Sequence, residues 1–398
     1  MYFTMKVCYN GATMSEIYFD NSSTTKPSKA VLEVVEKTMT EDYGNPSSMH
    51  KKGMDAEAYL KNARRAIADT LKADPSEIYF TSGGTESNNW ALIGTALANQ
   101  RQGRKILTTQ MEHPAVAEPC AFLEKLGFEV GKIPVDENGT LDLETLEKML
   151  TDDVILVSTM YVNNEIGAVV PVEKVAKMVH SACPHAFYHV DAIQAYGKYR
   201  IRPARVGIDM LSVSGHKLHG PKGTGFLYVK NGVKMNPLIY GGGQNGGMRS
   251  GTENVPGIAG LGIAAREAYT DFDAKIDHLY DLKEHMIKGL MSIDDVVVHG
   301  MPGREGAPHI VNASFLGVGS EVLLHTLESH DIYVSAGSAC STHKRSGSPT
   351  LTAIHAPQEE MASSVRFSFC ENNTVEEVDE TIRVLREELP RLRRYRAH

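Results

Sequence analysis

Residues 78–99 read IYFTSGGTESNNWALIGTALAN. Ile78–Thr81 is an apolar run of strand length, residues 82–84 break it, and residues 86–99 continue at helical spacing. The unit recurs downstream, with Lys105–Thr109 before a helical 115–126 and Val154–Met160 before a helical 172–181. Further strand-like runs lie at 186–190, 209–212 and Gly225–Val229. Upstream, a short apolar run at 16–19 ends in the turn-rich 20–27, and Lys29–Thr40 and 54–72 have helical patterns. Strands alternating with helices predict an α/β protein whose mostly parallel sheet is covered on both faces.

The pattern changes after the glycine-rich stretch 241–257. Long polar helical patterns follow at 258–273 and 275–291, then short strands at Val296–His299 and 311–315, and a last helix near 375–391. This predicts a smaller α+β domain in the C-terminal part. The expected division is an N-terminal extension (1–15), a segment packing with the small domain (16–28), a large domain (29–262) and the small domain (263–398).

The 398 residues are 42% hydrophobic and 23% charged, with a formal net charge of -8. That balance suits a globular protein and gives no electrostatic case for binding nucleic acid. No stretch approaches the roughly 20 apolar residues that span a bilayer. Residues 1–15 include Lys6 but no continuous apolar core, so no signal peptide is read there. The five cysteines, Cys8, Cys120, Cys183, Cys340 and Cys370, are odd in number and unpatterned. They suggest neither a disulfide framework nor an oxidising compartment, and a cytoplasmic location is expected. Cys183 and His185 lack a second pair at zinc spacing, so no metal is expected. The basic run at 391–396 reads as a solvated helix end.

Five segments place chemistry at strand ends. In 212–225, SVSGHKLHGPKGTG, Lys217 sits between an apolar strand and a glycine-rich loop with Ser214 and His216. It is either a desolvated amine able to bond a carbonyl or a surface lysine. In 188–194, YHVDAIQ, Asp191 either faces a cation, such as a protonated pyridine nitrogen, or caps a helix; Gln194 follows. In 80–89, FTSGGTESNN, Gly84 and Thr85 open a helix whose N–H groups suit phosphate, without P-loop spacing. In 110–114, QMEHP, His113 is a ring-stacking or proton-moving candidate, or a structural histidine. In 160–171, MYVNNEIGAVVP, Asn163, Asn164 and Glu165 cluster after a buried strand. Ligands of open α/β sheets bind beyond the carboxyl ends of the strands, so these segments converge on one edge.

Elsewhere, Cys340 lies in the loop-like VSAGSACST of 334–342, followed by His343, Lys344 and Arg345, whose positive charge favours a thiolate. The reading is a mobile nucleophile; the alternative is an exposed thiol. Arg366, in VRFSF at 365–369, suits a carboxylate or a surface ion pair. The loop 240–254, YGGGQNGGMRSGTEN, carries Arg249 and Thr252.

Together these motifs, with DNSSTT at 20–25, GNPSSMH at 44–50 and EHPAV from Glu112, resemble the class I cysteine desulfurases over nearly the whole chain. These are fold type I pyridoxal 5'-phosphate (PLP) enzymes of the class V aminotransferase group. The resemblance implies a mostly parallel seven-stranded sheet flanked by helices, and a homodimer. It implies that Lys217 bonds the cofactor and carries a proton, that Asp191 partners the pyridinium, and that Gln194 lies near the ring hydroxyl. His113 would stack on the ring as acid or base. Gly84, Thr85, Ser214 and His216 would hold phosphate, with Thr252 entering from a second subunit. Asn164, beside the cofactor, and Arg366 would bind the substrate carboxylate. Cys340 would attack the sulfur of L-cysteine, releasing alanine and keeping a persulfide for an acceptor protein: an iron–sulfur scaffold or a thiolation enzyme.

The chain departs from the pattern at Ser23, where alanine is usual, at Cys370, where glycine is common, and in the basic 343–345. A tail for docking an iron–sulfur scaffold is also not evident before His398. Rival readings are a selenocysteine lyase, a PLP aminotransferase of the same fold, and a non-catalytic sulfur-transfer scaffold.

Overall fold

The computed structural model describes residues 16–301, 303–336 and 348–396. The first strand, β1 (Ile17–Tyr18), stands apart from the main sheet. That sheet has seven strands: β2 (Ile78–Thr81), β3 (Lys105–Thr109), β4 (Glu129–Ile133), β5 (Val154–Met160), β6 (Phe187–Asp191), β7 (Met210–Ser214) and β8 (Gly225–Val229). Their order is β2-β8-β7-β6-β5-β3-β4. Only β8 runs against its neighbours; the other pairings are parallel. The seven-stranded, mostly parallel sheet that the family resemblance implies is the one observed.

Every residue of β5, β7 and β8 is buried, which their apolar composition permits because helices cover both faces. At the sheet edge, β4 (EVGKI) is half-exposed and polar, so its sequence gives little strand signal and periodicity missed it. The helical reading of 258–273 spans two elements. Val255–Ala268 ends at Tyr269, and Phe272–Leu290 begins after Asp271, whose φ of 50° breaks the helix.

The C-terminal part forms a four-stranded antiparallel sheet, β12-β13-β10-β9, from β9 (Val296–His299), β10 (Ile310–Phe315), β12 (Ser335–Ala336) and β13 (Ser364–Ser368). The short β11 (Ile332–Tyr333) pairs in parallel with β1. Ile17 and Phe19 share an apolar cluster with Leu282, Phe315, Phe367 and Leu385. The N-terminal strand therefore packs with the C-terminal sheet. Among the described residues, no helix is long and apolar enough to cross a membrane.

β2, β3, β5, β6 and β7 all point the same way. Their carboxyl ends, at Thr81, Thr109, Met160, Asp191 and Ser214, therefore share one sheet edge. The loops that follow them build the site.

Candidate active site

A cavity of ≈ 1010 Å³ opens at this edge. Gly84, Thr85, His113, Asn164, Asp191, Gln194, Ser214, His216, Lys217 and Arg366 all line it. Ten of the twelve residues proposed from sequence thus meet in one place. Thr252 is exposed and does not line this chain's cavity. Cys340 lies outside the described residues, as does 343–345. The residues on either side of that segment, Ser335 and Ala336 before it and Ser348 and Pro349 after it, border the cavity.

Lys217 sits at the end of a short helical turn, Gly215–Lys217, directly after β7. The N-terminal segment braces this turn from outside the large sheet. The Thr25 N–H and hydroxyl both donate to the His216 carbonyl, at 2.8 and 2.9 Å. The His219 N–H donates to Thr25 Oγ1 at 2.7 Å. Lys217 Nζ donates to the carbonyls of Ser22 and Ser23, at 2.5 and 2.7 Å.

Asp191 ends β6 and is 4% exposed. Its carboxylate accepts from the Asn88 amide at 2.7 Å and from the Ile193 N–H at 3.0 Å. Burial pushes its pKa up, against those two bonds and the charges of His113 and Lys217. An acid held this way is stabilised in its charged form by a cation in the cavity. His113 caps the helix Pro114–Lys125, with Nδ1 accepting from the Ala115 N–H at 3.0 Å. That bond places the proton of the neutral ring on Nε2. Burial lowers the His113 pKa, so the neutral ring is favoured.

At the other end, residues 82–85 form a glycine turn into the helix that begins at Gly84. Gly83 has φ of 150°, which favours glycine. The Ser82 N–H donates to Glu86 Oε2, and Arg249 holds Glu86 through Nε at 2.8 Å. Ser214, His216 and Lys222 line the same cavity. Burial, with Lys217 and Lys222 nearby, lowers the His216 pKa to about 4, leaving a neutral donor or acceptor.

Arg366 projects from β13 and is 7% exposed. It donates to the Asn164 carbonyl at 2.7 Å, to Asp20 Oδ1 at 2.9 Å and to Ser23 Oγ at 2.6 Å. The Ser23 hydroxyl itself donates to Asp20 Oδ1 at 2.7 Å. The surface ion pair considered for Arg366 is therefore replaced by a largely buried one with Asp20, which Ser23 reinforces.

Sequence reasoning missed Asn88 and Glu112. Glu112 lines the cavity beside His113 and accepts from Thr109 Oγ1 and the Met160 N–H, both at 2.8 Å. Burial raises its pKa to about 8, so it is mostly a neutral acid at pH 7. A carboxyl next to the histidine in QMEHP was the available signal. Asn88 gave none, because its partner is 103 residues away.

The donor set fits a phosphate-bearing pyridine aldehyde. An amine and a buried carboxylate face one cavity, the carboxylate answers a ring cation, and the glycine turn with Ser214 and His216 offers an anion site.

Comparisons with known proteins agree with this geometry. The aminotransferase class-V family matches residues 17–381. A NifS/IcsS protein homolog from Lactobacillus delbrueckii subsp. bulgaricus is 44% identical over 92% of this chain and 95% of its own. A cysteine desulfurase IscS from Methanosarcina thermophila is 42% identical over 95% of this chain and 93% of its own. The solved structure of a NifS-like protein superposes with a TM-score of 0.90 at 38% identity, covering 95% of this chain and all of that one. The chain belongs to the aminotransferase class-V family, in its NifS/IscS-like group.

Proposed function

We propose that the protein is a PLP-dependent cysteine desulfurase, a sulfurtransferase that converts L-cysteine to L-alanine and keeps the sulfur as a persulfide on Cys340. The observation that carries this reading is the meeting of Lys217, Asp191, His113 and Arg366 in one cavity, which the described residues Ala336 and Ser348 also line.

When bound, pyridoxal phosphate supplies an electron sink that makes the substrate Cα proton acidic. Lys217 Nζ would bond the cofactor and, once displaced by substrate, move the Cα proton. Asp191 would keep the ring nitrogen protonated, Gln194 would lie at the ring hydroxyl, and His113 would cover the ring and exchange a proton at Nε2. Gly84, Thr85, Ser214 and His216 would hold phosphate. Arg366 and Asn164 would orient the substrate carboxylate. The Cys340 thiolate would form the new S–S bond as the substrate C–S bond breaks, and alanine would leave with the electron pair and a proton.

A homodimer, with Thr252 entering the partner's site, belongs to this reading. Large apolar side chains exposed on one stretch of chain, Leu32, Met39, Tyr43, Met49 and Met54, support such a contact. The sulfur acceptor would be a protein of iron–sulfur assembly or thiolation, met in the cytoplasm.

Incubation with L-cysteine, followed by peptide mass spectrometry and alanine assay, tests the reading. One extra sulfur on the Cys340 peptide, with alanine formed and no keto acid required, is expected. Alanine formed without sulfur on Cys340 would contradict the reading, and turnover of selenocysteine but not of cysteine in Cys340→Ala would favour the selenocysteine lyase instead.

A further inference from the structure

Outside the cavity, three side chains with metal-ligating atoms meet where the two parts of the fold touch. His219 follows the Lys217 turn, while Cys370 and Glu371 follow β13. The imidazole, thiol and carboxylate ligand atoms lie within 4.8 Å of one another. Cys370 is 7% exposed, and the His219 and Glu371 side chains are 14% and 24% exposed. None of the three lines the large cavity.

The histidine is oriented as a ligand. Its Nδ1 lies 2.8 Å from the Lys26 carbonyl, which can only accept, so Nδ1 carries a hydrogen. Metal-bound histidines are held by this same bond to a backbone carbonyl. The other nitrogen, Nε2, is buried and makes no well-directed hydrogen bond. It faces Glu371 Oε2 at 3.4 Å. Two ligand atoms about 2.0–2.2 Å from a tetrahedral zinc ion stand about 3.4 Å apart, so this edge is already set.

The surroundings fix the other two ligands. Lys275 Nζ lies 3.5 Å from the second Glu371 oxygen. The Cys370 N–H donates to Asn373 Oδ1 at 2.9 Å, and Asn373 is in turn bonded by the Asn21 amide. Bringing the sulfur from within 4.8 Å of its neighbours to a zinc-site edge of about 3.6 Å takes a movement on the order of 1 Å.

We propose that His219, Cys370 and Glu371 form a binding site for a thiophilic divalent cation such as Zn²⁺, with a fourth position left to water. The cation would clip the residues after β13 to the Lys217 turn. Its rival is a proton on His219 Nε2. Burial opposes that proton, but Cys370 and Glu371 favour it and hold the imidazole at about 10. Either way the cluster is arranged around positive charge, and the two occupants differ in what they need from sulfur. Motif spacing cannot reveal such a site, because its parts are about 150 residues apart in sequence.

The test uses the PLP-loaded full chain carrying Cys340→Ser, so that the thiol proposed for catalysis cannot bind the probe. Zn²⁺ alone is added, excess is removed by dialysis, and metal content and X-ray absorption at the zinc edge are measured. About one zinc per chain is expected, with one sulfur among its ligands. Adding Cys370→Ser should weaken zinc binding by about 10- to 100-fold, as should His219→Asn, which keeps a residue tolerant of the φ of 62° there. Far-UV circular dichroism verifies the fold of each variant, and either variant alone suffices if the other does not fold. No retained zinc, or zinc retained equally after both substitutions, would overturn the proposal and leave the proton as the occupant.

Discussion

The Asn88 amide nitrogen lies 2.7 Å from Asp191 Oδ2, and both side chains are buried. It is one of two hydrogen bonds that keep this buried acid from gaining a proton. Hydrogen bonds to charged groups contribute about 1.5–3 kcal/mol. Asn88→Ala should therefore raise the Asp191 pKa further and lower kcat by about 10- to 100-fold. A pH titration of the cofactor absorbance should move with it. An unchanged titration would disconnect Asn88 from the ring partner.

Ser23 occupies one donor of Arg366. Its hydroxyl accepts from the guanidinium at 2.6 Å and bridges to Asp20. Ser23→Ala leaves Asp20 paired with Arg366 but frees one donor for a substrate carboxylate. A typical hydrogen bond is worth about 0.5–1.5 kcal/mol net, so KM for cysteine should fall by about 2- to 10-fold with kcat little changed. Steady-state kinetics decide this, and a raised KM would show that Ser23 instead holds Arg366 in its working position.

Glu112 links stability to pH. Its folded pKa, about 8, lies above the ordinary carboxyl value of 4.5. Between these values the folded chain binds more protons than the unfolded one, so Glu112 makes stability fall as pH rises through that window. Glu112→Gln mimics the neutral acid and removes the effect. Thermal melts from pH 5 to 9 should show wild type losing Tm relative to the variant as pH rises. Parallel curves would mean that Glu112 is ionised in the folded state.

The strand ends were legible because each is an apolar run closed by small or polar residues, as at Thr81–Gly84 and Ser214–Lys217. Once the parallel order is granted, the cavity follows from their common direction. What was not legible depends on chain reversal over long distances. The brace of residues 20–25 on the Lys217 turn, the Asn88–Asp191 bond and the His219–Cys370–Glu371 cluster join segments about 100 to 200 residues apart. The odd residues Ser23 and Cys370 were visible as departures, yet only their partners give them a physical meaning.

The central claim is that the Lys217 amine bonds the cofactor opposite Asp191. Borohydride reduction of the holoenzyme, followed by peptide mapping, tests it most directly. The account predicts a reduced phosphopyridoxyl group on the Lys217 peptide, absent from Lys217→Ala. The label on another lysine, or no label on a cofactor-loaded protein, would contradict it.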